Sequence, residues 1–254
     1  MRKPQQDAQL AEFVGALLGD GSIGCYHCKA GDKIKTQYRV KISGDASENL
    51  EYFTNCLRPL MTRLFDKEPL LRFKRGERTL ELMYFGKPFY EYLMDLGMAA
   101  SPKRDRAIIP SFIFQEGLEK HFLRGLFDTD GCVIFDRQNK KEHAYPRLEL
   151  KMLPSPMRKQ TLEILSNLEY RPITSAQQNG CIRIQMNGKK ILEKWVNEIK
   201  FHNPRHETKY KIWKNLGYYM TNTNIQHRQE VLRNIDLHTA GLSSQECSSD
   251  AHEE

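Results

Sequence analysis

Two nine-residue stretches, FVGALLGDG from Phe13 to Gly21 and LRGLFDTDG from Leu123 to Gly131, are copies of one pattern and decide how the chain is read. Each predicts an apolar helix that runs into Asp-Gly. Asp20 and Asp130 hold the same place, 110 positions apart. Gly21 and Gly131 suit a left-handed residue just past a helix end, which sets both aspartates at helix C-termini. That end already carries partial negative charge, so a carboxylate there is disfavoured by about 0.3–1 kcal/mol. Gly15 and Gly19 lie four apart on one helix face, and Gly125 and Thr129 repeat the spacing, so two such helices can pack closely. Their carboxylates then meet, and two like charges at one spot need a cation between them or a proton on one of them. The economical reading is a divalent metal site across a pseudo-twofold axis.

The chain has 254 residues, room for one large domain or two smaller ones. Its net charge is +7, and without the acidic stretch 238–254 the remainder carries +11. Such a basic body calls for a polyanionic partner. No apolar run is long enough to span a membrane and no signal-peptide core stands at the N-terminus. Six cysteines do not make a disulfide scaffold, so the expected setting is intracellular and cytoplasmic. Cys25-x-x-Cys28 has no second pair at zinc spacing and reads as strand and turn.

The chain repeats itself in order. Asp7 caps a helix with its stripe at Leu10, Phe13, Val14, Leu17 and Leu18. A hairpin follows, and its second strand alternates, with Tyr38, Val40 and Ile42 inward against Gln37, Arg39, Lys41 and Ser43 outward. Asp45-x-x-Glu48 resembles a capping box before a helix from Leu50 to Leu64. A second hairpin turns at Gly76, and a helix through Phe89, Leu93 and Leu96 ends at Gly97. The second half repeats the motif helix, a hairpin over Cys132–Arg137 and Arg147–Met152, a helix opened by Ser155-Pro156, a hairpin at Asn179-Gly180 and a helix from Ile191 to Ile199. Gly86-Lys87 matches Gly188-Lys189, and Ser101-Pro102-Lys103-Arg104 matches Asn203-Pro204-Arg205-His206. The expected fold is α+β, a tandem pseudo-repeat of αββαββα halves. The halves span 1–108 and 120–237, joined by a linker at 109–119, with a closing helix near Lys209–Tyr219 and a disordered tail over 238–254.

The motif pair resembles the two signature motifs of the LAGLIDADG homing endonucleases, in their single-chain form. Leu123, Gly125, Leu126, Asp128, Asp130 and Gly131 match the nine-letter pattern in the second copy. The first keeps Gly15, Asp20 and Gly21 and has Leu18 where the pattern has its earlier Asp. The resemblance covers roughly residues 7–200. It implies paired motif helices at the domain interface, beneath a saddle of two antiparallel sheets. It also implies a monomeric, intron-encoded enzyme that hydrolyses both strands of a long asymmetric double-stranded DNA target, leaving short 3′ overhangs. Mg2+ or Mn2+ would be held by Asp20 and Asp130 with the carbonyls of Gly19 and Thr129, hard oxygen donors that suit such ions. Lys151, with Lys41 substituting in the first half, would order water at the scissile phosphates. The rivals are an RNA-binding intron-splicing helper (maturase) of the same fold and a DNA-binding regulator on the same scaffold.

Strand alternation names the candidates for DNA contact. Arg39, Lys41 and Ser43 in the first half face one way, as do Arg147, Glu149, Lys151, Arg183 and Gln185 in the second, where alternate side chains can read base edges in a major groove. Arg72, Lys74, Arg75 and Arg78 crowd the second hairpin of the first half. Arg137 and Lys140 stand at a hairpin tip, where phosphate contact is expected. Glu149 faces the groove where Lys41 does so in the other half, so the two half-sites should differ.

Overall fold

The computed structural model describes residues 5–31, 33–138 and 141–246. The expected contact at Lys140 and residues 247–254 of the expected tail lie outside the described residues. The first half runs α1 (Ala8–Asp20), β1 (Gly21–Ala30), β2 (Lys33–Asp45), a long helix in three parts, β3 (Leu70–Phe73), β4 (Thr79–Phe85) and α4 (Lys87–Asp95). The long helix comprises α2 (Leu50–Tyr52), a π-helical turn (Phe53–Leu57) and α3 (Arg58–Phe65). After a short α5 (Phe112–Gln115), the second half repeats the order as α6 (Glu119–Asp130), β5 (Gly131–Asp136), β6 (Tyr145–Met152), α7 (Pro156–Asn167), β7 (Ile173–Ala176), β8 (Ile182–Asn187) and α8 (Lys189–Glu198). Two further helices follow, α9 (Pro204–Leu216) and α10 (Ile225–Glu246). The antiparallel sheets have the same topology, β1-β2-β4-β3 and β5-β6-β8-β7.

Local chemistry sets most boundaries. The Asp7 carboxylate accepts from the backbone N–H of Gln9 and Leu10 at 2.9 and 3.0 Å, satisfying two orphan donors of α1. Ser155 caps α7 through the N–H of Arg158. On β2, Val40 and Ile42 are buried while Lys41 and Ser43 between them keep partial exposure, as the alternation requires.

Several expectations are corrected. Gly21 and Gly131 are extended, with φ of −99° and −82°, and not left-handed. They are glycines because a Cβ on either would overlap the carbonyl oxygen of Leu17 or Phe127, where the chain leaves the helix directly into a strand. Asp45 caps a turn at Ser47 and Glu48, but Glu48 does not reach back to close a capping box. Its carboxylate is taken by Arg228 and the N–H of Ile225 from the far end of the chain. Asn179-Gly180 lies in a 3-10 turn over Gln178–Gly180 in place of a two-residue hairpin turn. The closing helix α9 starts earlier than expected, at Pro204, where Asn203 caps it, and stops at left-handed Gly217. The backbone of α10 stays helical to Glu246, beyond the point where the sequence predicts disorder.

The two motif helices pack on each other. A Cβ on Gly15 would overlap the Phe122 carbonyl and the Leu126 N–H, and one on Gly125 would overlap the Glu12 carbonyl and the Ala16 N–H. The contacts are reciprocal: each glycine meets, on the other helix, the equivalents of the residues its partner meets on its own. That is the signature of an isologous interface, here inside one chain. A polar clamp locks the seam. Glu12 accepts from Arg124 Nη2 at 2.6 Å and pairs with His202 Nδ1 at 2.6 Å, and the His202 N–H donates to Asp128 Oδ2 at 2.8 Å. The earlier motif aspartate is thus a buried anchor for the chain after α8, while its counterpart Leu18 is ordinary core.

Candidate metal centre and nucleic-acid interface

Close packing carries the C-termini of α1 and α6 to one place. Gly19 is needed here too, since a Cβ on it would run into the Thr129 side chain. The carboxyl groups of Asp20 and Asp130 lie close enough for each to act on the other's ionisation. Two like charges so close favour a proton on one of them unless a cation joins them. Burial, then the Asp20 charge, pushes Asp130 up to about 7. Burial likewise raises Asp20, opposed by Lys103 and Arg205. Both side chains still reach solvent, so protein crowds them on one side while the other side remains open to a ligand.

The cations acting on this pair are not those expected from the strands. Lys103 Nζ donates to the carbonyls of Leu17, Leu18 and Gly19 at 3.0, 2.6 and 2.8 Å, neutralising the negative end of α1. Burial brings its own pKa down to about 8, against the pull of Asp130 and Asp20. In the second half Asn203 Nδ2 takes the Asp128 carbonyl at 2.7 Å, the counterpart of Leu18, and Arg205 follows in the place of Lys103. The signal for both cations was present as the repeat Ser101-Pro102-Lys103 and Asn203-Pro204-Arg205. In the sequence it is only a match between halves, because nothing local says that a loop after α4 returns to the end of α1.

The donor set fits a hard divalent cation. Two carboxylates face each other across two helix ends, both raised by burial and Asp130 further by the Asp20 charge, a combination that a cation relieves. Among the described residues no cluster of three or more His, Cys, Asp and Glu side chains stands at metal-binding spacing. Asp20 and Asp130 would hold such an ion, with water, backbone carbonyl and substrate oxygens supplying its other ligands, as Mg2+ commonly accepts. The Gly19 carbonyl already accepts from Lys103, while the Thr129 hydroxyl is spent on Gly125 and Leu126 of its own helix.

The strand residues form two surfaces, each organised by one buried glutamate. In the first half Glu81, 1% exposed, accepts from Lys41 at 2.5 Å and Arg72 at 2.7 Å. Burial alone would raise its pKa, but these bonds outweigh burial and hold it low. In the second half Glu149 lies 3.5, 3.3 and 3.9 Å from Arg147, Arg183 and Lys151, with Gln185 at 3.4 Å. Arg147 also pairs with Asp136 at 2.6 Å. Glu149 is thus the hub that fixes the cations around it, and Glu81, which alternation within β2 could not reveal, is its equivalent.

Other expected contacts divide. Arg39 lies 4.6 Å over the Tyr26 ring, and Ser43 pairs across the sheet with Glu81. Arg75 is exposed at the β3–β4 turn, Lys74 is held by Glu77, and Arg78 turns back to Asp45 and Ser47. Arg137 donates to His143 at 3.0 Å. Lys41 is engaged with Glu81, while Lys151 keeps 58% exposure and is the less constrained of the two expected catalytic lysines.

No family model matches this sequence, and no curated protein matches it. Solved structures do match its fold. A structure from work on mesophilic variants of the homing endonuclease I-DmoI is 20% identical, covers 76% of this chain and 95% of its own, and has a TM-score of 0.53. The LAGLIDADG homing endonuclease I-LtrWI, bound to target DNA, is 12% identical, with 84% and 90% covered and a TM-score of 0.58. The meganuclease I-SmaMI, bound to uncleaveable DNA, is 9% identical, with 82% and 89% covered and a TM-score of 0.57. The fold is that of the LAGLIDADG homing endonucleases in a single chain with two halves.

Proposed function

We propose that a chain with the LAGLIDADG homing endonuclease fold and two facing carboxylates at its centre is a site-specific DNA endonuclease, acting as a monomer on both strands of a long, asymmetric duplex. The observation that carries the reading is the juxtaposition of Asp20 and Asp130 at two closely packed helix C-termini, flanked by two sheets whose polar faces present arginine, lysine and glutamine. Neither carboxylate is placed where helix stability would put it.

The chemistry is phosphodiester hydrolysis: a water oxygen bonds to phosphorus, one P–O ester bond breaks, and the leaving oxygen takes up a proton. Mg2+ or Mn2+ bound at the carboxylates would neutralise charge at phosphorus and acidify the attacking water. Asp20 and Asp130 would hold the ion between the halves once both carboxyls are ionised. Lys103 and Arg205 bring positive charge to the same spot, Lys103 anchored by three carbonyls so that its ammonium is held in place. Lys151, exposed and loosely held, is in position to order water or contact a phosphate. The unequal faces, Glu81 with two cations and Glu149 with three, support half-sites of different sequence.

The test is a selection on a library of long duplexes in Mg2+, run beside the double substitution Asp20→Asn, Asp130→Asn. Discrete products from the unsubstituted protein alone are expected. Specific duplex binding without cleavage would replace the reading with a regulator, and tight binding only to structured intron RNA would replace it with a splicing helper.

A further inference from the structure

A second concentration of charge lies beside the carboxylate pair, and its sign is opposite. The loop between α9 and α10 folds back over the outer edge of β5 and closes a cavity of about 450 Å3. Arg205 and Lys209, one turn apart on α9, and Arg228 of α10 all line it. Its two carboxylates are already engaged. Glu48 is bound by Arg228 at 2.5 Å and Asp136 by Arg147 at 2.6 Å. Lys209 Nζ donates to the Val133 carbonyl at 3.3 Å and lies 6.0 Å over the Tyr219 ring, and among the described residues the Arg205 guanidinium has no hydrogen-bond or ion-pair partner. Burial, and then the positive charges of Arg205 and Arg228, lowers the pKa of Lys209. With the cavity's carboxylates already engaged, the half-buried cations leave an excess of positive charge that an anion would relieve. The cavity is also correctly placed for one. Cys132, Ile134 and Asp136 of its wall share a sheet face with Glu149 and Arg147, so it opens at the rim of the proposed DNA-binding surface.

We propose that this cavity seats a non-scissile backbone phosphate of the duplex, gripped by Lys209, so that the α9–α10 hairpin is part of the DNA-binding surface and not only a brace. The inference rests on the endonuclease reading above. It adds a phosphate contact from an element outside the two sheets, beside the reacting centre. Phosphate contacts of this kind set position and carry no sequence information.

The experiment measures duplex affinity against salt concentration for the unsubstituted protein, Lys209→Gln, Lys209→Arg and Asn222→Asp. Each phosphate contact adds about 0.9 to the slope of log K against log salt. Lys209→Gln should reduce that slope by about one and weaken cognate and non-cognate duplexes alike, while Lys209→Arg should restore it. Asn222 lines the cavity on an exposed loop, so Asn222→Asp tests the same charge requirement without touching the buried lysine and should also weaken binding. An unchanged slope in Lys209→Gln, or unchanged affinity in Asn222→Asp, overturns the inference while leaving the endonuclease intact. Inorganic phosphate that raises the melting temperature of the free protein through Lys209 without altering the DNA slope would assign the cavity to a free anion and equally overturn it. If the unsubstituted protein binds no duplex at all, the endonuclease reading itself has failed.

Discussion

Asp130 keeps its proton close to neutrality because it is crowded by protein and faces Asp20, and this has two consequences of definite sign. Its folded pKa, about 7, exceeds the unfolded value of 3.8, so the folded state binds more protons between those limits and metal-free stability should fall as pH rises from about 4 to 7. A bound divalent cation removes the repulsion, so adding Mg2+ above pH 7 should recover the loss. Thermal melts across pH with and without Mg2+ check both, and a metal-free melting temperature flat across that range would contradict the raised Asp130 carboxyl. Lys103 lowers both carboxyls. Lys103→Met should therefore shift the midpoint of metal binding to higher pH, read by titration at several pH values. On the sheet, if Arg183 reads a base, Arg183→Ala should cost ~1–3 kcal/mol and relax preference at that position. An unaltered cleavage-preference profile would remove Arg183 from the readout set.

Helix α1 and helix α6 are held at backbone contact by glycines, and the interface has no slack. A methyl group on Gly15 or Gly125 would meet carbonyl oxygens and amide nitrogens of the facing helix, which cannot rotate away as a side chain could. Gly15→Ala should destabilise by at least the 1–3 kcal/mol typical of an overpacked core, and by separating the carboxylates it should weaken metal binding beyond its effect on folding. Denaturant melts paired with metal titration of the folded fraction separate the two losses. Much of this was legible beforehand, because the small-residue spacing Gly15/Gly19 and Gly125/Thr129 is a local pattern with one geometric meaning. The strand faces were legible for the same reason, since alternation on β2 and β6 assigns Arg39, Lys41, Arg147 and Lys151 to one side without any knowledge of neighbours.

Across the whole molecule, the C-terminal helices tie the halves together. Arg228 is 1% exposed and joins Glu48 of the first half to Thr208 and the Thr223 carbonyl of the second, and Gln229 reaches Glu51. Removing one partner of a buried ion pair costs about 3–5 kcal/mol. Arg228→Ala should fall toward the low end, because Glu48 keeps 18% exposure and can be partly hydrated. Chemical denaturation should show that loss together with a separation of the two halves' unfolding, and a single transition at unchanged midpoint would deny the strap its role.

Asp20, Asp130, the αββαββα repeat and the polar faces of the strands were written in the sequence alone. Each follows from a short-range period or a duplicated string whose physical meaning does not depend on where the rest of the chain goes. Lys103, Arg205, Glu81, the clamp of Glu12, Arg124 and His202, and the true partner of Glu48 were decided only by the tertiary structure. Each of those joins residues tens to hundreds of positions apart, through side-chain bonds that no periodicity encodes. An Asp-x-x-Glu string looks the same whether its glutamate closes a capping box or waits for an arginine 180 residues away. Burial and proximity settle which, and these exist only once the two halves have packed.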